Sequence, residues 1–408
     1  MDCLFIHGNY PAQFKHLAPL LAQAGHRVVF LTNRNDIDQL GDTKIEIRQY
    51  LLHRGANPQT HHYLTSTEEA ILQGQAILRA IDELIKEGFQ PKFVVTHGGL
   101  GLGLFIKDIL PKSIHIGYFE WYFQPETTRH LIENFNLDSQ LSSSLRNLPI
   151  LHELEKCDIA VTPTKWQKQQ FPRAYHSKIE VIFDGIDTEF FKPQAHDKQN
   201  RNYPITLQDR DTKEKFEISK DTRLISYATR GMEPLRGFPE FMRSLPRLFK
   251  RYDDLQVVVA GADRRAYSYD APSHEGSWKN HLLAELKNQI PNDRLLFTRL
   301  LDYNDYRKLL WRTNLHCYFT KPYVTSWSLF EAAACGAHLA VNKNPATEGI
   351  IEEKTANWVS LDDQILLTQQ LEVLLAKSGI QSKLNSEFDL QTSLKQWEQL
   401  LNSALQKS

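Results

Sequence analysis

An α/β fold of two doubly wound, parallel-sheet domains is predicted, and three observations carry the prediction. Short β-branched or apolar runs alternate with amphipathic stretches along most of the chain, a pattern that builds parallel sheets covered on both faces. A polar, heavily charged segment at 194–222 interrupts the alternation, which then restarts. The chain has 408 residues, enough for two cores of ordinary size. The expected division is 1–193, a linker or insertion at 194–222, a second domain at 223–385, and a closing helix at 386–408 able to pack back on the N-terminal domain.

The first half opens with an apolar run at 3–7 (CLFIH) that ends in Gly8, Asn9, Tyr10 and Pro11. Helical spacing follows over 14–24, Gly25 stops it, and 27–32 (RVVFLT) is a second strand. Residues 66–88 read as a long amphipathic helix whose Ser66 and Glu69 have capping-box spacing. Buried strands are predicted at 93–96 (FVVT), 114–119 (IHIGYF), 159–162 (IAVT) and 179–183 (IEVIF), with a helix at 149–156. In the second half, strands at 224–228, 256–260 (QVVVA), 295–297, 316–320 and 338–341 alternate with helices at 239–250, 278–289, 303–313 and 327–335. A last helical stretch, 390–405, follows all the strands.

Composition excludes several classes. Hydrophobic residues make up 41% and the net charge is −1, so disorder is not the main state. There is no basic surplus for a nucleic-acid backbone. The four cysteines, Cys3, Cys157, Cys317 and Cys335, are widely spaced with no CxxC pair, which fits neither a disulfide framework nor a zinc site. The opening MDCLFIHGNYP lacks signal-peptide features, and no apolar run reaches the ~20 residues of a membrane span. A cytoplasmic protein is expected, with peripheral membrane contact compatible and the oligomeric state left open.

Ligands of open parallel sheets bind outside the carboxyl ends of the strands, so candidate residues were sought there. In the stretch 320–337 (TKPYVTSWSLFEAAACGA), Ser326 or Thr325 can cap a helix whose first amides face an anion. Glu331, one turn further, is a carboxylate able to accept two ribose hydroxyls; the plainer reading is a capped helix with one solvated Glu. In 227–237 (YATRGMEPLRG), Arg230 and Arg236 follow a strand, and two guanidinium forks there suit a diphosphate; the plainer reading is two surface arginines in a loop.

Four segments together carry a resemblance. The segment at 184–193, DGIDTEFFKP, resembles the NGVDTxxFxP signature of retaining glycosyltransferases of family 4, which have the GT-B fold of two facing Rossmann-like domains. The stretch ATRGMEPLRGFPEF (228–241) resembles that family's GRxxxxKG segment, with Arg236 in the lysine's place. SLFEAAACGAHLAVNKNPATEGI (328–350) resembles its LEAMACGxPVVAxxxGGxxEVI segment, and HGNYPAQFKHLAPLLAQAGHRV (7–28) its first strand, loop and helix. The matches come in order and span about residues 1–360.

The resemblance implies transfer of a sugar from a nucleotide-diphosphate sugar to a hydroxyl acceptor; no cluster of His, Cys, Asp and Glu has metal-ligand spacing, so no bound metal is expected, and no cofactor. Arg230 and Arg236 would neutralise the diphosphate and Glu331 would hold the ribose. Ser326, Trp327 and Ser328 would offer amides to the phosphates, Leu301 would lie near the nucleobase, and Gly8 and Asn9 would face the transferred sugar. His97 and Glu120 are the catalytic candidates of the first domain, with Tyr10, Gly98 and Trp121 on the acceptor side. Two departures stand out: Tyr323 occupies the place of a family glutamate eight residues before Glu331, and Glu120 that of a histidine. Partial desolvation is expected to raise the pKa of Glu120.

The glycine run at 98–103 (GGLGLG) lacks GxGxxG spacing and the following acidic residue of a dinucleotide site. Asp209 and Asp211 form a DxD pattern inside the polar segment, where a solvated charge run is the better reading. His53, His61 and His62 read as a loop. Of the aromatic run at 118–123 (YFEWYF), some rings are expected to face the ligand. A nucleotide-sugar epimerase of the same fold, or a non-catalytic nucleotide-sugar-binding protein, would keep Arg230 and Glu331. The residue types leave the nucleotide (UDP, GDP or ADP), the sugar and the acceptor open.

Overall fold

The computed structural model describes residues 1–40, 44–194, 201–377 and 379–407. They form two compact units. Unit 1 comprises Met1–Thr128, Phe135–Gly185 and Leu390–Ser408, and unit 2 comprises Arg129–Asn134 and Ile186–Asp389.

Unit 1 is built on strands β1 (Asp2–Ile6), β2 (Arg27–Thr32), β3 (Ile45–Gln49), β4 (Pro91–His97), β5 (Ile114–Tyr118), β6 (Ile159–Thr162) and β7 (Ile179–Val181). They form one sheet in the order β3-β2-β1-β4-β5-β6-β7, with every pair parallel. Its helices are α1 (Leu17–Gln23), α2 (Thr65–Lys86), α3 (Ile106–Ile109), α4 (Pro125–Thr128), α5 (Leu137–Leu145), α6 (Leu148–Lys156) and α7 (Lys165–Gln170). The apolar run of β1 is continuous because both of its faces are buried. Cys3 and Phe5 enter one core with Phe14, Phe30 and Phe93, while Leu4 and Ile6 enter the other with Ile77 and Ile81 of α2. Alternation along the strand makes this split unavoidable.

Unit 2 repeats the plan. Strands β8 (Ile205–Gln208) and β9 (Lys215–Ile218) pair as an antiparallel hairpin. Strands β10 (Arg223–Ala228), β11 (Leu255–Ala260), β12 (Leu295–Arg299), β13 (Leu315–Tyr318), β14 (Leu339–Asn342) and β15 (Trp358–Val359) form a parallel sheet in the order β12-β11-β10-β13-β14-β15. Helices α8 (Phe238–Arg251), α9 (Trp278–Glu285), α10 (Tyr303–Arg312), α11 (Trp327–Ala334) and α12 (Gln364–Ala376) accompany it. The last helix, α13 (Leu390–Lys407), belongs to unit 1, where Trp397, Leu401 and Ala404 enter the core beside Phe5 and Phe30.

Three local expectations are corrected. Helix α2 starts at Thr65, a residue before the proposed cap; its N-cap position is Leu64 and no side chain caps it, so Ser66 and Glu69 form no capping box. The polar stretch read as a linker or insertion, with no strand expected in it, holds the β8–β9 hairpin. Arg312, fully buried, fastens that stretch by donating to the carbonyls of Tyr203 at 2.7 Å, Ser219 at 2.9 Å and Thr222 at 2.6 Å. Carbonyl acceptors on three sides satisfy a guanidinium that has no carboxylate beside it among the described residues. Asp209 is also fully buried rather than solvated: its Oδ1 accepts the amides of Asp211 at 2.7 Å and Thr212 at 3.1 Å in the hairpin turn.

Candidate functional site

Each sheet reverses its winding once, between β1 and β4 in unit 1 and between β10 and β13 in unit 2. The crevice at such a point is where open α/β sheets bind ligands. The sequence candidates gather at the two points, and each is described in turn.

In unit 2, the loop after β10 carries both arginines. Arg236 is 5% exposed, and its Nη1 donates to Thr320 Oγ1 at 2.9 Å. Thr320 is itself fixed, because its amide donates to Asn342 Oδ1 at 2.9 Å and its carbonyl accepts from Asn342 Nδ2 at 2.8 Å. The ends of β10, β13 and β14 are thereby tied to one guanidinium. Arg230 donates from Nη1 to the Tyr267 hydroxyl at 3.0 Å. The Tyr267 ring centroid lies 5.8 Å from the Arg230 guanidinium and 5.5 Å from that of Arg236, within cation–π range of both.

Glu233, between the two arginines in sequence, sets the Tyr267 loop. It is fully buried, and its Oε2 accepts the amides of Ala266 at 2.9 Å, Tyr267 at 2.8 Å and Ser268 at 2.9 Å. Three donors are what a carboxylate needs to tolerate such a place. Gly261, with φ at +144°, passes so close that a Cβ there would lie 2.1 Å from the Thr229 carbonyl oxygen. Tyr323 packs its ring 5.7 Å from Tyr267, so an aromatic contact fills the family glutamate's place.

Helix α11 starts as read: Ser326 is the N-cap and its Oγ accepts from the Ser328 amide at 3.4 Å. The Ser326 amide donates to the Tyr318 hydroxyl at 3.0 Å. Two of the three amides proposed for phosphate therefore already have internal partners. Glu331 is 4% exposed, not a solvated surface carboxylate. Burial first, and then its charge, push the neighbouring Tyr306 hydroxyl well above its ordinary pKa. Leu301 follows β12 and forms a bridge with Asp209 of the hairpin turn.

In unit 1, Glu120 sits just past β5. Its Oε2 lies 3.2 Å from His97 Nε2 and its Oε1 accepts from Gln13 Nε2 at 2.7 Å. His7 and His97, at the ends of neighbouring strands, meet edge to face at 4.5 Å. The Asn9 amide donates to His7 Nδ1 at 2.8 Å, which leaves the proton on Nε2. Burial, and next the charge of His97, push His7 down to about 3. In this cluster His97 Nδ1 is buried without a partner, and Gln13 also bonds the His7 ring.

Glu120 reverses the sequence expectation. Burial pulls its carboxyl up, but the hydrogen bond and charge of His97 and the bond from Gln13 outweigh it and hold Glu120 below the ordinary carboxylate value. Gly8 accepts at its carbonyl from Thr32 Oγ1 at 3.0 Å, and Tyr10 packs edge-on against Phe30 at 4.8 Å. At Gly98 a Cβ would stand 2.4 Å from the Phe119 ring, so only glycine fits. Tyr118, Phe119 and Trp121 are core residues, 1%, 1% and 7% exposed; of the aromatic run only Tyr122 and Phe123 are partly exposed.

The glycine run holds a carboxylate of the protein itself. Glu153 of α6, fully buried, accepts the amides of Gly99 at 3.0 Å and Gly101 at 2.9 Å. Burial, opposed by those amides, pushes it up to about 7. Among the described residues no group of three or more His, Cys, Asp or Glu side chains could hold a metal ion, and no helix is long and apolar enough to cross a membrane. His61 and His62 are exposed, with His62 Nε2 3.3 Å from Asp138. Sequence reasoning missed Glu233, Tyr267, His7 and Gln13. Position could have flagged three of them, since Glu233 lies between the two arginines and His7 and Gln13 flank the loop after β1.

Comparison with known proteins places this geometry. Residues 24–191 match the model of the glycosyl transferase family 4 group. Among curated proteins, none matches in sequence. Sucrose-phosphate synthase of Thermosynechococcus elongatus is similar in structure with a TM-score of 0.72 at 14% identity, covering 100% of both chains. HepE of Anabaena, in complex with UDP and glucose, gives 0.65 at 13% identity over 99% of this chain and 100% of its own. A putative UDP-N-acetylglucosamine 2-epimerase of Listeria monocytogenes gives 0.58 at 16% identity over 100% and 97%. The chain has the GT-B fold, and its segment 24–191 is similar to the glycosyl transferase family 4 group.

Proposed function

We propose that the protein is a retaining glycosyltransferase that moves a sugar from a nucleotide-diphosphate sugar to a hydroxyl acceptor in the cytoplasm. The observation that carries the reading is the gathering of Arg230 and Arg236 around Tyr267 at the sheet reversal, with Glu331 on the helix after β13. The bond from the anomeric carbon to the diphosphate breaks, and negative charge grows on the leaving oxygen. Two fixed cations stabilise that charge most in the transition state. They take the part a divalent cation would otherwise fill, so activity should survive a chelator.

Glu331 grips the ribose hydroxyls through charge-assisted hydrogen bonds. Glu120, ionised and held by His97 and Gln13, orients a hydroxyl of the sugar or acceptor. The acceptor oxygen bonds to the anomeric carbon on the face the diphosphate leaves, and its proton passes to the leaving phosphate oxygen. Support for a nucleotide-sugar donor comes from HepE, solved with UDP and glucose.

Arg230→Ala and Arg236→Ala should each lower turnover by ~10²-fold, by analogy with the loss of one oxyanion donor. Arg236→Lys should retain part of it. Near wild-type turnover in either folded alanine variant would refute the assignment. Proton NMR of fresh product reads the stereochemistry, and an inverted anomeric centre from an α-linked donor would rule out retention. A sugar adduct on Glu120 after trapping with a fluorinated donor would make that residue a nucleophile instead. Isomerisation of donor supplied alone would point to an epimerase, and binding without turnover to a non-catalytic protein.

A further inference from the structure

Unit 2 contains a cavity of about 830 Å³ at the carboxyl ends of β13, β14 and β15, within the size range of small-molecule sites. Neither arginine of the nucleotide candidate lines it, nor do Leu301, Ser326 or Glu331. His130, from the short excursion Arg129–Asn134, closes one side of it.

The charges argue against an anion. Lys321 Nζ lies 3.9 Å from Glu240, and Lys343 Nζ lies 3.7 Å from both Glu348 and Glu353. Each lysine of the lining is thus already balanced, and Asp362 adds a further carboxylate. Burial and the charges of Lys321 and Arg129 hold His130 below its ordinary pKa, so it adds no cation at neutral pH.

The remaining chemistry is that of a neutral, hydroxyl-rich ligand. Glu240 lines the cavity, and its Oε1 lies 3.9 Å from Lys321 Nζ, beyond hydrogen-bond distance, so the carboxylate can accept from a ligand hydroxyl. Trp358 lines the same space with an indole, and its Nε1 is held by Glu353 Oε1 at 2.9 Å. An aromatic surface beside a carboxylate, Ser360 and Gln370 matches a sugar ring, which has apolar C–H faces and hydroxyl edges. Asn342 and Asn344 wall the cavity, and both donate to the Thr320 carbonyl, while the Thr320 hydroxyl accepts from Arg236.

We propose that this cavity binds a neutral saccharide at a position separate from the nucleotide. The proposal does not depend on sugar transfer, since binding is read without turnover. The test is saturation-transfer NMR on the full chain with glucose, maltose and lactose as probes, and inorganic phosphate titrated as a control. At least one saccharide should receive saturation in the presence of excess UDP. Trp358→Ala should weaken that binding at least about tenfold, equivalent to ~1.4 kcal/mol. Glu240→Gln, which keeps the shape of the side chain, should weaken it as well, and this guards against a Trp358→Ala variant that fails to fold. Absence of transfer to all three sugars, displacement by UDP, displacement by phosphate, or unchanged binding in Glu240→Gln would each overturn the proposal.

Discussion

Glu120 is a carboxylate whose charge is decided by two partners far from it in sequence. Gln13 is 107 residues away and His97 23 residues away, so no local pattern could reveal that Glu120 would be held ionised. What was legible was its place: a carboxylate just past a buried strand, in a protein that gathers ligand groups there. A depressed pKa stabilises the fold above the unfolded group's pKa, and that contribution is lost as pH falls through the folded value. Glu120→Gln should therefore be less stable than wild type by about 1–2 kcal/mol at neutral pH. The gap should narrow as pH falls from neutral into the acid range below the ordinary carboxylate pKa, where the held-down carboxyl takes up its proton. Urea unfolding at neutral and acid pH checks this; a gap that stays constant would mean that Glu120 is not the charged partner. The buried Arg236 teaches a complementary point. Its residue type suggested a diphosphate clamp, yet its bond to Thr320 depends on the pairing of β10 with β13, which only the folded sheet supplies.

At the scale of elements, the buried strands were readable because both faces lie against helices, and their apolar runs are unbroken. The edge strand β3 (IEIRQ) was not, since only Ile45 is buried and the run mixes charge with β-branching. Hairpin β8–β9 hid in a charged stretch because Arg312 and Asp209, rather than apolar side chains, hold it. Helix α12 was missed although Leu367, Leu371 and Leu375 are buried at helical spacing, a plain omission. The glycine run lacks dinucleotide-loop spacing in the sequence, and in the fold Glu153 occupies its Gly99 and Gly101 amides, a tertiary contact that no local pattern shows. That carboxyl is raised from its ordinary 4.5 to about 7, so its stabilising effect is full below the unfolded pKa and lost as pH rises through about 7. The shift corresponds to on the order of 3 kcal/mol. Between pH 5 and 8 the wild type should lose stability relative to Glu153→Gln by that order, and denaturation curves that run parallel across the range would contradict it. The Glu233 cradle makes a second element-scale prediction. Glu233→Ala leaves three amides, that of buried Ser268 among them, without their acceptor and should cost about 3 kcal/mol. It should also free Tyr267, so nucleotide affinity falls with stability, whereas Tyr267→Phe, which keeps the ring, should leave stability nearly intact.

On the scale of the whole molecule, each unit has its own parallel sheet and its own core, which makes each a candidate cooperative unit in unfolding. Two perturbations should act on different units. Helix α13 is last in sequence but lies in unit 1, with Trp397, Leu401 and Ala404 buried beside β1 and β2 residues. Removing the segment after Asp389 strips those side chains from that core. At about 1.5–3 kcal/mol for each large apolar side chain, the loss is a large fraction of a domain's ~5–15 kcal/mol. Calorimetry of the truncated chain should show the transition of unit 1 lowered or absent and that of unit 2 little changed. A nucleotide should do the opposite, because Arg230, Arg236, Ser326 and Glu331 all lie in unit 2. Ligand that binds only the folded state adds about 2.7 kcal/mol at a hundredfold excess over Kd, or roughly 5–10 °C for a domain of this size. UDP should raise the transition that survives the truncation and should still do so in the truncated chain. If UDP instead raises only the transition that depends on α13, the nucleotide binds unit 1, and the donor assignment to Arg230, Arg236 and Glu331 fails.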